Sequence, residues 1–300
     1  MQRVLLLIVI FLVILFGVTY FVLRKNAQVA VPIIKEVLKE EAVKPQIEIV
    51  AKGIKRPHGI AFNNGIVYVS SETDKALYKV TGSVIERFAD LDFTHDVIFE
   101  SDGSIITPVF NEQRVVKIKP NGTIQTLYSG FDGPNGIVFN KFGYVYVSNY
   151  NSGRILTTRD GVNFSEVTAG DLKGSAGIAY DKETNSIWVA GFLGNTISMY
   201  GLGDSEEAEI RRPRTFHYIL EGVIHPESIF VRGSKSSKVL ITAVKNGKGV
   251  VIESDPQGKY KVILETDLPD PVVGYFTEDG LVFLVSPNDP EGRILKARIN

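Results

Sequence analysis

The sequence predicts an all-β fold, a six-bladed β-propeller closed by an N-terminal strand completing its last blade and preceded by one N-terminal transmembrane helix. Three features predict it. A unit of turn, polar residue and apolar strand recurs along most of the chain, the stretches between its copies divide into short strand-like runs, and a long uncharged apolar segment stands at the start.

That segment, VLLLIVIFLVILFGVTYFVL at residues 4–23, is about 20 residues long, enough at helical rise to cross the roughly 30 Å hydrocarbon core. A cleavable signal would be shorter and end in small residues, whereas this run ends in Tyr20 and Phe21 before Arg24 and Lys25. Residues 1–25 therefore read as an uncleaved anchor. Arg3 on one side and Arg24 and Lys25 on the other barely discriminate an orientation. A single N-terminal anchor commonly doubles as the export signal, which places the propeller outside the cytoplasm on a single-pass membrane protein. Residues 26–45 form a linker. Pro32 can open a short amphipathic helix with Ile33, Ile34, Val37 and Leu38 as its apolar stripe, and Pro45 ends it; a solvated tether is the plainer reading.

The recurring unit reads PHGIAF at 57–62, THDVIF at 94–99, PNGIVF at 134–139, SAGIAY at 175–180 and PESIF at 226–230, with a weaker copy, DPVVGYF, at 270–276. Copies roughly 40 to 50 residues apart, each written in strands, belong to propeller arrays rather than helical solenoids. After the third copy come YVYVSN at 144–149, RILTT at 154–158 and FSEVT at 164–168, rich in β-branched and aromatic residues and separated by turn formers. Each unit and its three followers make a four-stranded blade. The last unit supplies only LVFLVS and RILKARI, one strand short, and IEIVAK at 47–52 is the candidate to complete it. Such closure removes the open sheet edges that invite aggregation, so residues 46–300 read as one propeller.

Composition sets the chemistry. In 300 residues, 33 Lys and Arg against 34 Asp and Glu leave a net charge of −1, which argues against a nucleic-acid partner, and 44% apolar residues argue against disorder. The absence of cysteine excludes disulfides, thiolate catalysis and Cys-based metal sites.

In a propeller the first strand of each blade lines the central channel, and the residue between the turn and the strand is left at the channel mouth. Around the ring that position holds His58, His95, Asn135, Ala176, Glu227 and Val272. Four of these can bind a metal or move a proton. Loops between the second and third strands open on the same face and add Glu72, Asn111, Asn149, Asn151, Asn246 and Asn288. Asp96 either caps a turn or orients His95, and alternation along an extended strand favours the turn. His225, beside Pro226, is a possible general base or lid residue, with a surface role as the plain alternative. His217 and Trp188 read as structural, residues 204–214 as a solvated hairpin, and TRDGVNF at 158–164 as an ordinary turn.

The spacing, PNGIVF and YVYVSNYNSGRI resemble the superfamily of six-bladed propellers that includes gluconolactonases and senescence marker proteins, with paraoxonase-like and strictosidine-synthase-like relatives. The resemblance covers nearly all of residues 46–300. It implies one divalent cation, often calcium, at the channel mouth, polarising a scissile carbonyl or activating water. Asn135 matches the Asn of the family's PNG motif. His58 in RPHG departs from the family's EGP glutamate, Ala176 stands where a later Asp is expected, and Glu227 comes one blade afterwards. A set of His58, His95, Asn135 and Glu227 leans to zinc, manganese or iron rather than calcium. The expected activity is metal-dependent hydrolysis of a lactone or ester, with His58, His95, Glu227 and His225 as catalytic candidates and a small molecule as the partner at the mouth. The alternatives are a non-enzymatic propeller binding a ligand or protein at the cell surface, favoured by Ala176 and Val272, and a metal-free condensing activity resting on a carboxylate such as Glu227.

Overall fold

A computed structural model describes residues 45–168, 172–202, 215–232 and 238–299. The expected anchor at 1–25, the linker at 26–44 and the charged stretch at 204–214 lie outside the described residues. Among those described, no helix is long and apolar enough to cross a membrane.

The described strands form six four-stranded antiparallel sheets. Strand β1 (Ile47–Ala51) stands apart in sequence. The first blade is β2 (Pro57–Asn63), β3 (Ile66–Ser71), β4 (Ala76–Thr81) and β5 (Val84–Asp90). The second is β6 (Ile98–Phe99), β7 (Ile105–Val109), β8 (Arg114–Ile118) and β9 (Ile124–Ser129), and the third β10 (Pro134–Phe139), β11 (Val145–Asn149), β12 (Arg154–Thr158) and β13 (Ser165–Glu166). The fourth is β14 (Ser175–Asp181), β15 (Ser186–Gly191), β16 (Thr196–Gly201) and β17 (Thr215–Ile219), and the fifth β18 (Ile229–Arg232), β19 (Lys238–Lys245), β20 (Lys248–Ser254) and β21 (Tyr260–Thr266). The sixth has β22 (Val273–Phe276), β23 (Leu281–Val285) and β24 (Ile294–Arg298), and β1 pairs with β24 to complete it, as the missing strand required. Ile49 lies opposite Leu295 and Glu48 opposite Lys296, whose ammonium reaches the carboxylate at 3.2 Å.

Six buried apolar clusters fill the seams, each shared by two neighbouring blades. Period-two alternation supplies both faces of a blade at once: on β19, Ile241 packs toward the fourth blade with Trp188, and adjacent Leu240 toward the sixth with Leu284. Two buried faces explain near-continuous apolar runs such as VLITAV. Trp188 is fully buried in such a seam, and His217 on β17 bonds Ser198 Oγ through Nδ1 at 2.9 Å, both structural as expected.

The recurring unit has a specific local form. In the first, third and fourth blades the innermost strand bulges, so that two residues face one on its partner: His58 and Gly59, Asn135 and Gly136, Ala176 and Gly177. In the first and third blades a serine takes up the amide displaced from the ladder and passes the bond on. Gly59 N–H donates to Ser70 Oγ at 2.8 Å, and Ser70 O–H donates to Thr94 O of the next blade at 2.8 Å. Gly136 N–H donates to Ser148 Oγ at 2.7 Å, and that hydroxyl donates to Ala176 O at 2.5 Å. The glycines are required by space rather than by backbone conformation. A Cβ on Gly59 would stand 2.4 Å from Thr94 O, and one on Gly177 2.4 Å from Glu227 O.

The sixth copy differs. β22 pairs with β23 without a bulge, and Gly274, in register opposite Leu284, donates its amide back to Ser228 Oγ of the fifth blade at 3.0 Å. Val272 and Val273 are both seam residues.

Gly59→Ala is expected to lower unfolding stability by about 1 to 3 kcal/mol, since backbone oxygens cannot yield as side chains do. Gly194→Ala, whose nearest neighbour is a threonine side-chain oxygen at 3.3 Å, is expected to change it by less than about 0.5 kcal/mol. Chemical denaturation of the two variants checks the contrast.

Candidate functional site at the channel mouth

His95, Asn135 and Glu227 are each backed by the preceding blade, Asn135 by the Asp96 amide donating to its carbonyl at 3.4 Å. Gly59 lies against the carbonyl of His95, and Gly177 donates its amide to Glu227 O at 2.9 Å. In the second and fifth blades the hub residue precedes the regular strand, so His95 and Glu227 stand on the entering loop.

The loop brings residues distant in sequence into contact. His95 Nε2 lies 2.8 Å from Glu227 Oε1, and His95 Nδ1 lies 3.0 Å from Asp96 Oδ1. The His95 and Glu227 side chains are 1% and 4% exposed, so this is a buried ionic unit. The expectation that Asp96 caps a turn is corrected: residues 95 to 97 are not extended strand, so adjacent side chains need not point to opposite faces. Asp96 occupies the place that glycine holds in the first, third and fourth blades. Its Oδ2 fits because Gly136 of the next blade has no Cβ; one added there would come within 2.9 Å.

Burial opposes a charge on His95, but hydrogen bonds and Coulombic attraction from Asp96 and Glu227 outweigh it, and its pKa is raised to about 10. His58 behaves oppositely. Its ring centroid is 5.1 Å from that of His95 and 4.5 Å from that of Phe93. Burial, then the charges of His95 and Arg56, hold His58 well below the ordinary imidazole value, so it is neutral at pH 7. Its Nε2 is 3.9 Å from Glu72 Oε1, and Glu72 is itself bonded by Arg56 Nε at 2.9 Å. His58 Nδ1 and Asn135 Oδ1 are buried with no hydrogen-bond partner. Buried polar atoms left this way ordinarily await a ligand, water or ion.

His225 sits at the rim, with Nδ1 at 2.5 Å from Asp270 Oδ2 and its ring stacked on Phe192 at 4.4 Å. Of the second-ring residues, Glu72 faces His58. Asn111, Asn149, Asn151 and Asn288 hold loops, bonding Asp92, the amide of Asp132, the side chain of Asp132 and the carbonyl of Asp270 respectively. Asn246 takes a left-handed turn conformation, φ 53°. Ala176 is fully buried.

A metal needs lone pairs. With both ring nitrogens facing carboxylates and its proton held to about 10, His95 in this arrangement offers none, and among the described residues no three His, Asp or Glu side chains form a group that could hold a metal ion. The unpaired lone-pair donors at the mouth are His58 Nδ1, Asn135 Oδ1 and, at the rim, Asp270 Oδ1. A divalent cation resting on His58, His95, Asn135 and Glu227 requires His95 to release the proton on Nε2.

Tyr150, Phe93, Phe110, Phe192 and Asp270 also belong to the mouth and were not singled out by sequence. Burial, then the Glu227 charge, pushes the Tyr150 hydroxyl up to about 12, so it is a hydrogen-bond donor across the neutral range. A signal for three of them exists: Phe110, Tyr150 and Phe192 each follow the last residue of the second strand in successive blades.

No family profile matches the chain, and no curated protein matches it. Solved structures do. A virginiamycin B lyase from Staphylococcus aureus is 14% identical, with 86% of this chain and 99% of that one covered at a TM-score of 0.58. A gluconolactonase from Xanthomonas campestris is 13% identical over 85% and 90% at 0.65, and a luciferin-regenerating enzyme is 12% identical over 85% and 95% at 0.64. Gluconolactonases and a luciferin-regenerating enzyme among the neighbours accord with the superfamily that the repeat motifs resemble, and at these identities the likeness establishes the propeller fold.

The proton on His95 links the site to stability. The folded protein holds it to about 10 and the unfolded chain only to about 6.5, so the stabilisation is complete below pH 6.5 and is lost as pH rises toward 10. Melting temperatures from pH 6 to 10 are expected to fall for the wild type more steeply than for His95→Gln, which lacks the titrating group.

Proposed function

We propose that the chain is a hydrolase acting on a small lactone or ester at the channel mouth, by proton transfer between His58, water and the substrate. The observation that carries this is a pair of buried imidazoles with ring centroids 5.1 Å apart, His95 held between two carboxylates and His58 with a free Nδ1. A buried imidazole kept neutral with an unpaired ring nitrogen is the form in which histidine can accept a proton.

In this reading His58 takes a proton from a water molecule as that water adds to the substrate carbonyl, and returns it to the departing alkoxide. Tyr150 donates its hydroxyl hydrogen bond to the oxygen that gains charge, and Asn135 Oδ1 accepts a donor from the substrate. His95 neither gives nor takes a proton; it locks Glu227 and Asp96 in place and is a positioning residue. His225, held by Asp270, lines the entry. The gluconolactonases and lyase of similar fold support a hydrolase or lyase class of chemistry; a lyase would use the same base on a carbon-bound proton.

The divalent cation implied by the resemblance competes with the His95 proton as the source of positive charge, and would rest on His58, His95, Asn135 and Glu227. A second reading, ligand binding without turnover, is favoured by the fully buried Ala176, which leaves a bulged hub position without a polar group. The membrane anchor and an extracytoplasmic propeller remain part of the proposal, resting on residues 4–23.

Lactone and aryl ester hydrolysis by the full-length chain in detergent is expected to fall about 10²- to 10⁴-fold in His58→Ala, with the fold retained by circular dichroism. The rate of the wild type is expected to hold across neutral pH, to decline only well below pH 6.5 as His58 protonates, and to decline near pH 10 as His95 loses its proton. Elemental analysis separates the cation reading: stoichiometric zinc, manganese, iron or calcium that is lost in Glu227→Gln assigns the charge to a metal. No turnover of any lactone or ester leaves the binding reading standing.

A further inference from the structure

Phe110, Tyr150 and Phe192 repeat at one position in the second, third and fourth blades, and their rings touch in order. The centroids of Phe110 and Tyr150 are 6.0 Å apart, as are those of Tyr150 and Phe192. Phe93 continues the line at one end, 5.0 Å from Phe110 and 4.5 Å from His58. His225 continues it at the other, stacked on Phe192 with 10° between the planes. The result is an unbroken arc of six rings from His58 to His225.

This arc is not core. None of Phe93, Phe110, Tyr150 and Phe192 belongs to a seam cluster, and each is left partly exposed. Leu193, 57% exposed, and Ile224, 42% exposed, adjoin Phe192 and His225 in sequence. Aromatic surface held open in a row is expensive in water unless something covers it. An independent observation points to a ligand at the same place: His58 Nδ1, on the ring that begins the arc, and Asn135 Oδ1 are buried polar atoms without partners.

The character of the ligand follows from ring geometry. The acidic groups near the arc are engaged locally, Glu227 and Asp96 sharing His95, Glu72 facing Arg56 and Asp270 facing His225. Tilts of 51° to 66° along Phe93, Phe110, Tyr150 and Phe192 offer both edges and faces, the surfaces that a planar π system meets in T-shaped and offset contacts. We propose that the arc binds a flat aromatic ring carried by the substrate, with Asn135 Oδ1 accepting an N–H or O–H beside that ring. This deepens the hydrolase reading and rests on it for the claim that the ring belongs to a substrate.

The test uses 2-naphthol as probe, titrated against the full-length chain and followed by its own fluorescence. Saturable binding is expected, with cyclohexylmethanol failing to displace it at equal concentration. Phe110→Ala and Phe192→Ala are each expected to weaken binding about 3- to 10-fold. Phe110→Leu and Phe192→Leu, which keep bulk but lose the π face, are expected to weaken it likewise and serve where alanine impairs folding. No saturable binding, displacement by cyclohexylmethanol, or unchanged affinity in the leucine variants overturns the proposal. The two readings fail separately. Saturable ring-selective binding without hydrolysis of 2-naphthyl acetate sustains the arc and removes the hydrolase, whereas equal hydrolysis of naphthyl and cyclohexyl acetates, unchanged in Phe110→Leu, sustains the hydrolase and removes the arc.

Discussion

The close approach of neighbouring innermost strands governs the rest of this structure. Six sheets can converge on an axis only if their inner backbones come nearer than a side chain allows, and Gly59, Gly136 and Gly177 grant that approach by leaving a neighbour's carbonyl where a Cβ would otherwise be. The bulge follows from the same crowding. It frees one amide per strand from the ladder, and Ser70 and Ser148 carry that bond to the next blade, so a local irregularity becomes an inter-blade tie. The residue just ahead of the glycine is then turned out of the ladder toward the mouth. Hub chemistry is thus a by-product of hub packing: the device that joins the blades also presents one side chain from each.

Burying an ionic group at such a hub has a known cost. Removing one partner of a buried pair leaves the other uncompensated, worth about 3 to 5 kcal/mol, whereas the intact pair adds little over an apolar substitute. His95 between Glu227 and Asp96 is therefore poor economy as a stabilising device and is better understood as a means of fixing geometry. It joins the second blade to the fifth across the axis, between residues 132 positions apart in sequence, which no hydrophobic contact at the mouth could do with the same directionality. The consequence for His58 is electrostatic. Burial, then the positive charge of His95 beside it, holds His58 below the ordinary imidazole value.

The architecture could be read from residues because its causes are local and periodic. Turn formers, β-branched runs and the recurring unit each encode a single blade, and the absent fourth strand in the last blade pointed to residues 47–52 by simple count. The hub residues His58, His95, Asn135 and Glu227 were also accessible, since one position per repeat maps to one place on the axis. What periodicity could not give was the contact between unlike repeats. His95 meeting Glu227 depends on the diameter of the ring, and Asp96 meeting His95 depends on the second blade lacking a regular strand at that point. Asp96 carries the departure openly, standing where three other copies have glycine, but the meaning of the exchange lies in Gly136 of the next blade. The aromatic arc was missed for a different reason: its residues lie one step past the second strand, at a position aligned between repeats yet outside the unit that defined them.

The sixth blade shows why the mouth is not a symmetric ring of six. It is assembled from the two ends of the described chain, β1 pairing with β24, and its innermost strand runs straight where the bulged ones do not. Without a bulge there is no displaced residue, and Val272 and Val273 go instead to the seams on either side, Val272 lying close against Gly249 of the fifth blade. An apolar hub residue here is not a decayed ligand. A blade that closes the circle has only its seams to hold it, and two valines committed to packing secure it better than one side chain turned to solvent. Its share in the mouth comes from the approach to the strand, where Asp270 reaches His225. The polar hub residues and the ring of aromatics thus belong to the first five blades, and the sixth supplies closure.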